Sequence, residues 1–291
     1  MNILVTGGSG QLGKEVKIAS VGLPESYTFF FTDVDDLDVC NKEAIKNFCL
    51  KNSINLIINC AAYTNVDQAE SNADIADKIN HVAVRNLAEV AHAANIFIFH
   101  ISTDYVFGGN KNTPFSENDS VKPLGVYGLT KRKGEEALIS SGCKYIIIRT
   151  AWLYSWHSKN FLLTMLKLTS SKAQLKVVYD QVGTPTNAQD LAEFITHVIN
   201  EKLFVNHEGI YHFTNEGVCS WFDFAWEINR LSSFNCNVKS CSSNEFPTVV
   251  KRPSYSVLDK SKVKAIFKYS IPYWKESLAL CINKINKNEN I

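Results

Sequence analysis

Gly7, Gly10 and Gly13 lie directly between an apolar run, Asn2-Ile3-Leu4-Val5-Thr6, and a helical pattern over 12–19. A buried strand that turns through glycines into a helix is the opening of a βαβ unit, and such units build parallel sheets. The spacing is G-x-x-G-x-x-G in place of the G-x-G-x-x-G of many dinucleotide enzymes, with the same physical purpose. Glycines let the backbone turn sharply and approach a pyrophosphate, whose charge sits where free N–H groups converge at a helix N-terminus.

The following chain repeats the theme. Strands are predicted over 28–32, 56–59, 97–102 and 145–149, and helices over 42–52, 74–95 and 127–141. The 74–95 segment carries the clearest amphipathic stripe, with Ile79, Val82, Ala83, Leu87, Val90 and Ala94 at three- and four-residue steps. Parallel neighbours need a crossover, so this alternation predicts a doubly wound α/β sheet of the Rossmann type, with helices on both faces. After Arg149 the rhythm loosens. Helices are predicted over 160–168, 188–200, 220–231 and 274–287, strands over 175–179 and 210–213, and a turn-rich loop over 180–186. Residues 1–150 are therefore read as the dinucleotide-binding domain. Residues 151–291 are read as mainly a smaller, interleaved α/β substrate-binding lobe, with some segments returning to the first domain. The tail after Asn286 is expected to be disordered.

Composition matters chiefly for what it excludes. A formal net charge of +1 gives no electrostatic case for nucleic acid or an anionic membrane. No basic region or cleavage signal precedes the first apolar run, and no later run approaches the roughly 18 residues of a spanning helix. A cytoplasmic protein is expected. The eight cysteines show no C-x-x-C pair and read as reduced thiols.

An acidic residue after the second strand normally takes the adenine ribose hydroxyls and repels a 2′-phosphate. Asp33 stands there and tilts the reading toward NADH, with Asp38 and Val39 a few residues on, within reach of an adenine. Tyr127 and Lys131 are one helical turn apart and share a face. A phenol is a poor acid or base near neutrality, and a neighbouring ammonium stabilises phenolate and brings proton transfer into range. Ser102 and Thr103 place hydroxyls at the C-terminal edge of a strand, where α/β sheets present their sites. Strand alternation alone does not choose between them. His100, inside an apolar strand, reads as a hydrogen-bonded core residue, and the aromatics Trp152, Tyr154 and Trp156 read first as packing.

Taken together, the glycine pattern, Asn59-Cys60-Ala61-Ala62-Tyr63-Thr64, Ser102-Thr103-Asp104-Tyr105-Val106-Phe107 and Tyr127 to Lys131 resemble the extended short-chain dehydrogenase/reductases that act on nucleotide sugars. Within that superfamily, Asn65-Val66-Asp67-Gln68-Ala69-Glu70, Arg149-Thr150-Ala151-Trp152, the 180–186 loop and Arg252-Pro253 are similar to the dTDP-4-dehydrorhamnose reductase family.

The resemblance implies NADH or NADPH held by Gly7, Gly10, Gln11, Leu12 and Gly13 at the pyrophosphate, Asp33, Asp38 and Val39 at the adenosine, and Ala62, Tyr63 and Thr64 near the nicotinamide ribose. It makes Thr103 the hydroxyl that bonds the substrate's C4 carbonyl and Tyr127 the acid that protonates it. Lys131 then binds ribose hydroxyls and lowers the phenol's pKa, and Asp104 and Trp152 contact a dTDP-sugar. Family members use magnesium, and Glu15 matches a position implicated in it; one carboxylate is not a ligand set, so no metal residue is assigned. A homodimer is compatible with the resemblance. Related dehydratases place an Asp-Glu pair after the catalytic Thr, and Tyr105 here lacks that carboxylate, which disfavours dehydration. An epimerase, another nucleotide-sugar reductase and a non-catalytic regulatory subunit stay open, as does the C4 stereochemistry that separates rhamnose from 6-deoxytalose.

Overall fold

Side chains alternate along a strand, and here both sets are apolar, so the sheet must be covered on both faces. In a computed structural model that describes residues 1–288, the first half of the chain runs β1 (Asn2–Thr6), α1 (Gln11–Ser20), β2 (Thr28–Thr32), α2 (Lys42–Lys51), β3 (Leu56–Asn59), α3 (Val66–Ser71), α4 (Ala73–Asp77), α5 (Ala83–Ala94), β4 (Phe97–Thr103), α6 (Val126–Ser140) and β5 (Tyr145–Thr150). The second half adds β6 (Leu153–Tyr154), α7 (Phe161–Ser171), β7 (Gln174–Val178), β8 (Val182–Gly183), β9 (Thr186–Asn187), α8 (Ala188–Asn200), β10 (Gly209–His212), β11 (Cys219–Ser220), α9 (Trp221–Leu231), β12 (Asn237–Cys241), α10 (Ser261–Phe267) and α11 (Trp274–Asn288).

Six strands form one parallel sheet in the order β10-β5-β4-β3-β1-β2. Ile3, Val5, Leu56, Ile58, Phe99 and Ile148 bury one face against Leu12 and Val16 of α1 and Leu191 and Ile195 of α8. Leu4, Ile57, Ile98 and Ile147 bury the other against Ile45, Leu87, Val90 and Leu138 of α2, α5 and α6. The doubly wound sheet expected from the alternation is the one observed. Its strand order reverses between β1 and β3, the point at which such sheets open a crevice at their C-terminal edge.

Later segments re-enter these layers: β10 pairs with β5, and α8 lies against α1. A separate core of Leu162, Met165, Phe224, Ile228, Trp274, Leu278 and Ile282 joins α7, α9 and α11, with β7 and β12 paired in parallel beside it. No helix among the described residues is long and apolar enough to cross a membrane. The expected disordered tail is only partly described: α11 continues to Asn288, and residues 289–291 lie outside the described residues.

Two features depart from the sequence reading. The helix expected over 74–95 is interrupted by a π turn over Lys78–Val82. Apolar periodicity continues across it, so the pattern carried no sign of the break. α3, β12, α10 and the two-residue strands β6, β8, β9 and β11 were not anticipated either; α3, α10 and the short strands are too short for a clear period, and β12 is largely exposed on its edge.

Strands β4 and β5 are tied to α6 by a buried polar cluster. Glu135 accepts from Ser102 Oγ at 2.6 Å, from Arg149 Nε at 2.8 Å and Nη2 at 2.7 Å, and from Arg132 Nη1 at 3.1 Å. Ser102 and Arg149 are register partners on β4 and β5, so one carboxylate on α6 reads both strands at once. Burial alone would raise the Glu135 carboxyl; the Arg149 guanidinium, helped by Ser102 and Arg132, outweighs it and holds the group below its ordinary value. Removing one partner of a buried pair strands the other charge. Arg149→Ala is therefore expected to destabilise the protein by about 3–5 kcal/mol, read as a lower urea midpoint at unchanged m-value.

Candidate active site

The glycine turn is closed by backbone approach. Gly7 has φ +68°, and a side chain on Gly13 would meet the Gly7 carbonyl oxygen at 2.3 Å. The residue capping α1 is Gly10, with no side-chain hydrogen bond to the helix N-terminus and no acidic residue in the first turn. The amides at this end are thus free for an anion, and the residues present fit a dinucleotide pyrophosphate.

Two adjoining hollows of about 520 Å³ each meet at Gly7, Gly10, Cys60 and Ala62. Asp33, Val34, Leu37, Asp38 and Val39 line one hollow. Asp33 Oδ2 accepts the Ser9 N–H at 2.9 Å, and Asp38 Oδ1 accepts the Cys40 N–H at 2.8 Å. Gln11, Leu12, Gly13, Thr64, Thr103, Asp104, Tyr127, Lys131 and Trp152 line the other. Tyr63 lines neither. Its backbone is held by Asn80, and its hydroxyl accepts from Asn72 Nδ2 at 3.4 Å. Cys60 lies where the hollows join, with its thiol pushed up to about 12 by burial, so it stays protonated there. All eight cysteines are free.

Ser102 and Thr103 both line the cleft; Ser102 donates its hydroxyl to Glu135, whereas Thr103 accepts the Tyr105 N–H at 3.2 Å and donates to Asp104 Oδ1 at 3.0 Å. Burial raises the Tyr127 phenol, and the hydrogen-bonded Thr103 hydroxyl pulls it back in part. Lys131 Nζ donates to the Ile101 carbonyl at 2.6 Å. Burial lowers its ammonium to about 8, against the opposing field of Glu135 one turn further along α6. Burial also raises Asp104 to about 6. His100 is a core residue, its Nδ1 paired with Asn59 Nδ2 at 3.0 Å.

Several site residues had no short-range signal. Asn80, fully buried in the π turn, accepts the Tyr63 N–H at 2.9 Å and donates to the Tyr63 carbonyl at 3.0 Å and to Thr130 Oγ1 at 3.2 Å. Arg252 donates to the Tyr105 hydroxyl at 3.1 Å and to Asp67 at 2.6 Å, and the Tyr105 ring packs edge-on against Tyr127 at 5.5 Å. Trp152 sits at φ +48°, stacked on Trp221 at 3.6 Å between ring centres; a side chain on Gly183 would strike the Trp152 ring at 2.6 Å. A bulky residue in the left-handed region costs of order 1–3 kcal/mol and persists only where its surroundings enforce it.

The RmlD substrate binding domain family matches residues 1–287. A dTDP-4-dehydrorhamnose reductase of Aggregatibacter actinomycetemcomitans is 38% identical over 95% of this chain and 96% of its own length. The crystal structure of a dTDP-4-dehydrorhamnose reductase from Clostridium acetobutylicum superposes with a TM-score of 0.93 at 43% identity, covering 98% of this chain and all of that one. One from Bacillus anthracis, solved in complex with NADP, has a TM-score of 0.90 at 34% identity over 97% and 99% of the two chains.

The surroundings of Glu15 do not suit magnesium. The carboxylate is buried on α1, and the polar groups facing it are His157 Nε2 at 3.5 Å and the Trp156 indole, with the Lys284 ammonium adding a favourable field. Magnesium asks for an octahedron of oxygen ligands, whereas the groups facing Glu15 are nitrogen groups and a cation, and the Asp190 and Glu193 carboxylates act on it only through their field. No group of three or more metal-ligating side chains occurs among the described residues. Treatment with a chelator is expected to leave both the melting temperature and the dinucleotide affinity unchanged; a fall in either that magnesium restores would show a site these residues do not form.

Proposed function

The chain belongs to the RmlD substrate binding domain family, and from that premise we propose that it is an NAD(P)H-dependent reductase that converts the C4 keto group of dTDP-4-dehydro-6-deoxy-L-mannose to the alcohol of dTDP-L-rhamnose, for cell-surface polysaccharide. The observation that carries this reading is that Thr103, Tyr127 and Lys131 line one cleft that opens onto the glycine turn.

Bound reduced nicotinamide supplies the hydride. The rest falls to this chain's residues. Gly10, Gln11 and Leu12 present the α1 amides to the pyrophosphate, and Ala62 and Thr64 flank the path of the cofactor along the cleft. Tyr127 gives its proton to the C4 oxygen, a role that suits a phenol kept protonated by burial. Lys131, its ammonium fixed on the Ile101 carbonyl, keeps a cation beneath the ribose position. Tyr105 packs a ring, not a carboxylate, against Tyr127, which favours simple reduction over abstraction of a C5 proton.

Asp33 supports a preference for NADH. Its carboxylate already holds the Ser9 N–H and would face a 2′-phosphate with like charge. Asp33→Asn is expected to narrow the gap between NADPH and NADH affinity by about tenfold or more, on the order of the 1–4 kcal/mol that neighbouring unit charges exchange near a surface. Equal affinities in the unaltered protein would remove the basis for that preference.

With the 4-keto sugar nucleotide supplied, the protein is expected to oxidise NADH, and product NMR to show the rhamnose configuration at C4. Tyr127→Phe should lower kcat by about 10²–10⁴-fold with dinucleotide affinity preserved. Turnover that survives this substitution would overturn the assignment of Tyr127.

A further inference from the structure

Tyr127 stands in the first turn of α6, where the helix brings little support of its own. The residue before the helix is Gly125, which supplies no side-chain cap, and Gly128 follows Tyr127. Glu135 holds the helix to β4 and β5 about two turns further along, and a helix end without a cap frays. Both glycines are points of close approach. A side chain on Gly125 would meet Glu70 Oε1 at 2.7 Å and Val250 Cγ1 at 2.9 Å, and one on Gly128 would collide with the Tyr105 carbonyl oxygen.

The groups that approach come from α3 and from the segment before α10. Glu70 Oε1 accepts the Val126 N–H at 2.7 Å, so a carboxylate of α3 caps α6 one residue before Tyr127. Its negative charge also meets the positive end of the helix dipole. Asp67, one turn earlier on the same face of α3, accepts from Arg252 Nη2 at 2.6 Å, and Arg252 Nη1 donates to the Tyr105 hydroxyl at 3.1 Å. The Tyr105 ring lies edge-on to the Tyr127 ring at 5.5 Å. Arg252 is itself held: Pro253 restricts its backbone and packs on Gly109, where a side chain would meet Pro253 Cβ at 2.5 Å, and Ser254 Oγ donates to the Gly109 carbonyl at 3.1 Å. α3 thus reaches Tyr127 twice, at the backbone through Glu70 and at the ring through Asp67, Arg252 and Tyr105.

We infer that Glu70 and Arg252 are positioning residues for the acid Tyr127, joined through α3 into one clamp on the first turn of α6. The inference rests on the reductase reading above. Neither residue lines either hollow, so each acts through another group: Glu70 through the Val126 amide, Arg252 through the Tyr105 hydroxyl. Proton transfer needs the phenol oxygen within hydrogen-bond reach of the C4 oxygen, and a displacement of about 1 Å costs up to ~100-fold in rate. Holding the backbone alone would leave the side-chain torsions free, and packing the ring alone would leave the helix end free. The clamp constrains both.

Because the clamp works through Tyr127, its removal must cost nothing further once that phenol is gone. Arg252→Ala and Glu70→Ala, each checked by circular dichroism and retained dinucleotide binding, should lower kcat by about 10–100-fold, with KM for the 4-keto sugar nucleotide changed by no more than about threefold. Tyr105→Phe keeps the ring and loses only the hydroxyl that Arg252 holds; it should match Arg252→Ala, and the double variant should be no slower than either. Glu70→Gln retains an acceptor for the Val126 N–H and should keep most of the activity. In a Tyr127→Phe background, Arg252→Ala and Glu70→Ala should lower kcat no further. Full kcat in both alanine variants, a change confined to KM, or losses that multiply with that of Tyr127→Phe would overturn the clamp, while Tyr127-dependent reduction by the unaltered enzyme keeps the reductase reading intact. If the unaltered enzyme reduces no 4-keto sugar nucleotide, the reductase reading falls and takes the clamp with it.

Discussion

The placement of the proposed catalytic residues depends on the Glu135 carboxylate being buried between Ser102 and Arg149. Tyr127, Lys131 and Glu135 follow one another at four-residue steps, so they form a single stripe on α6. Fixing Glu135 on β4 and β5 therefore fixes the rotation of the helix about its axis. That rotation aims Tyr127 and Lys131 at the cleft, beside the Thr103 that ends β4. An apolar contact would have held the helix down with less control of its angle, because hydrophobic burial is non-directional whereas a forked guanidinium–carboxylate pair is not.

How much of this was legible depended on the range of the interaction. The glycine turn, the alternating strands and the Tyr127–Lys131 spacing are local, and each has a periodicity or a backbone requirement that a sequence displays. The choice between Ser102 and Thr103 was not local. It turns on Glu135, 33 residues from Ser102, which holds the Ser102 hydroxyl and so supports Thr103 as the proposed catalytic group. Arg252 reaches Tyr105 across 147 residues, and no pattern in either segment announces the meeting. The π turn was hidden for a different reason: the apolar periodicity continues across it through Ile79 and Val82, despite the buried Asn80 between them.

The two hollows divide the labour between the halves of the chain. The side proposed for the dinucleotide is built from the C-terminal edges of β1, β2 and β3, rigid ground where backbone positions are set by the sheet ladder. The other side borrows Trp152, Phe161 and Trp221 from the later elements, including a Trp held in a conformation that its neighbours must enforce. On the proposed reading, precision is concentrated where the chemistry would be common to many sugars, and aromatic shape where one sugar would be told from another.

The π turn over Lys78–Val82 has a consequence for how the chain can change length. Such a turn holds one residue more than the α-helical turn it replaces, and each α-helical residue advances the helix by ~100°. Deleting a residue there would yield a smoother helix in the wrong phase: either Asn80 would swing away from Tyr63 and Thr130, or Leu87 and Val90 would rotate out of the core. The segment thus works as a frameshift locked between two readers, the cofactor-side loop and the sheet, and its length is as constrained as the identity of any residue within it.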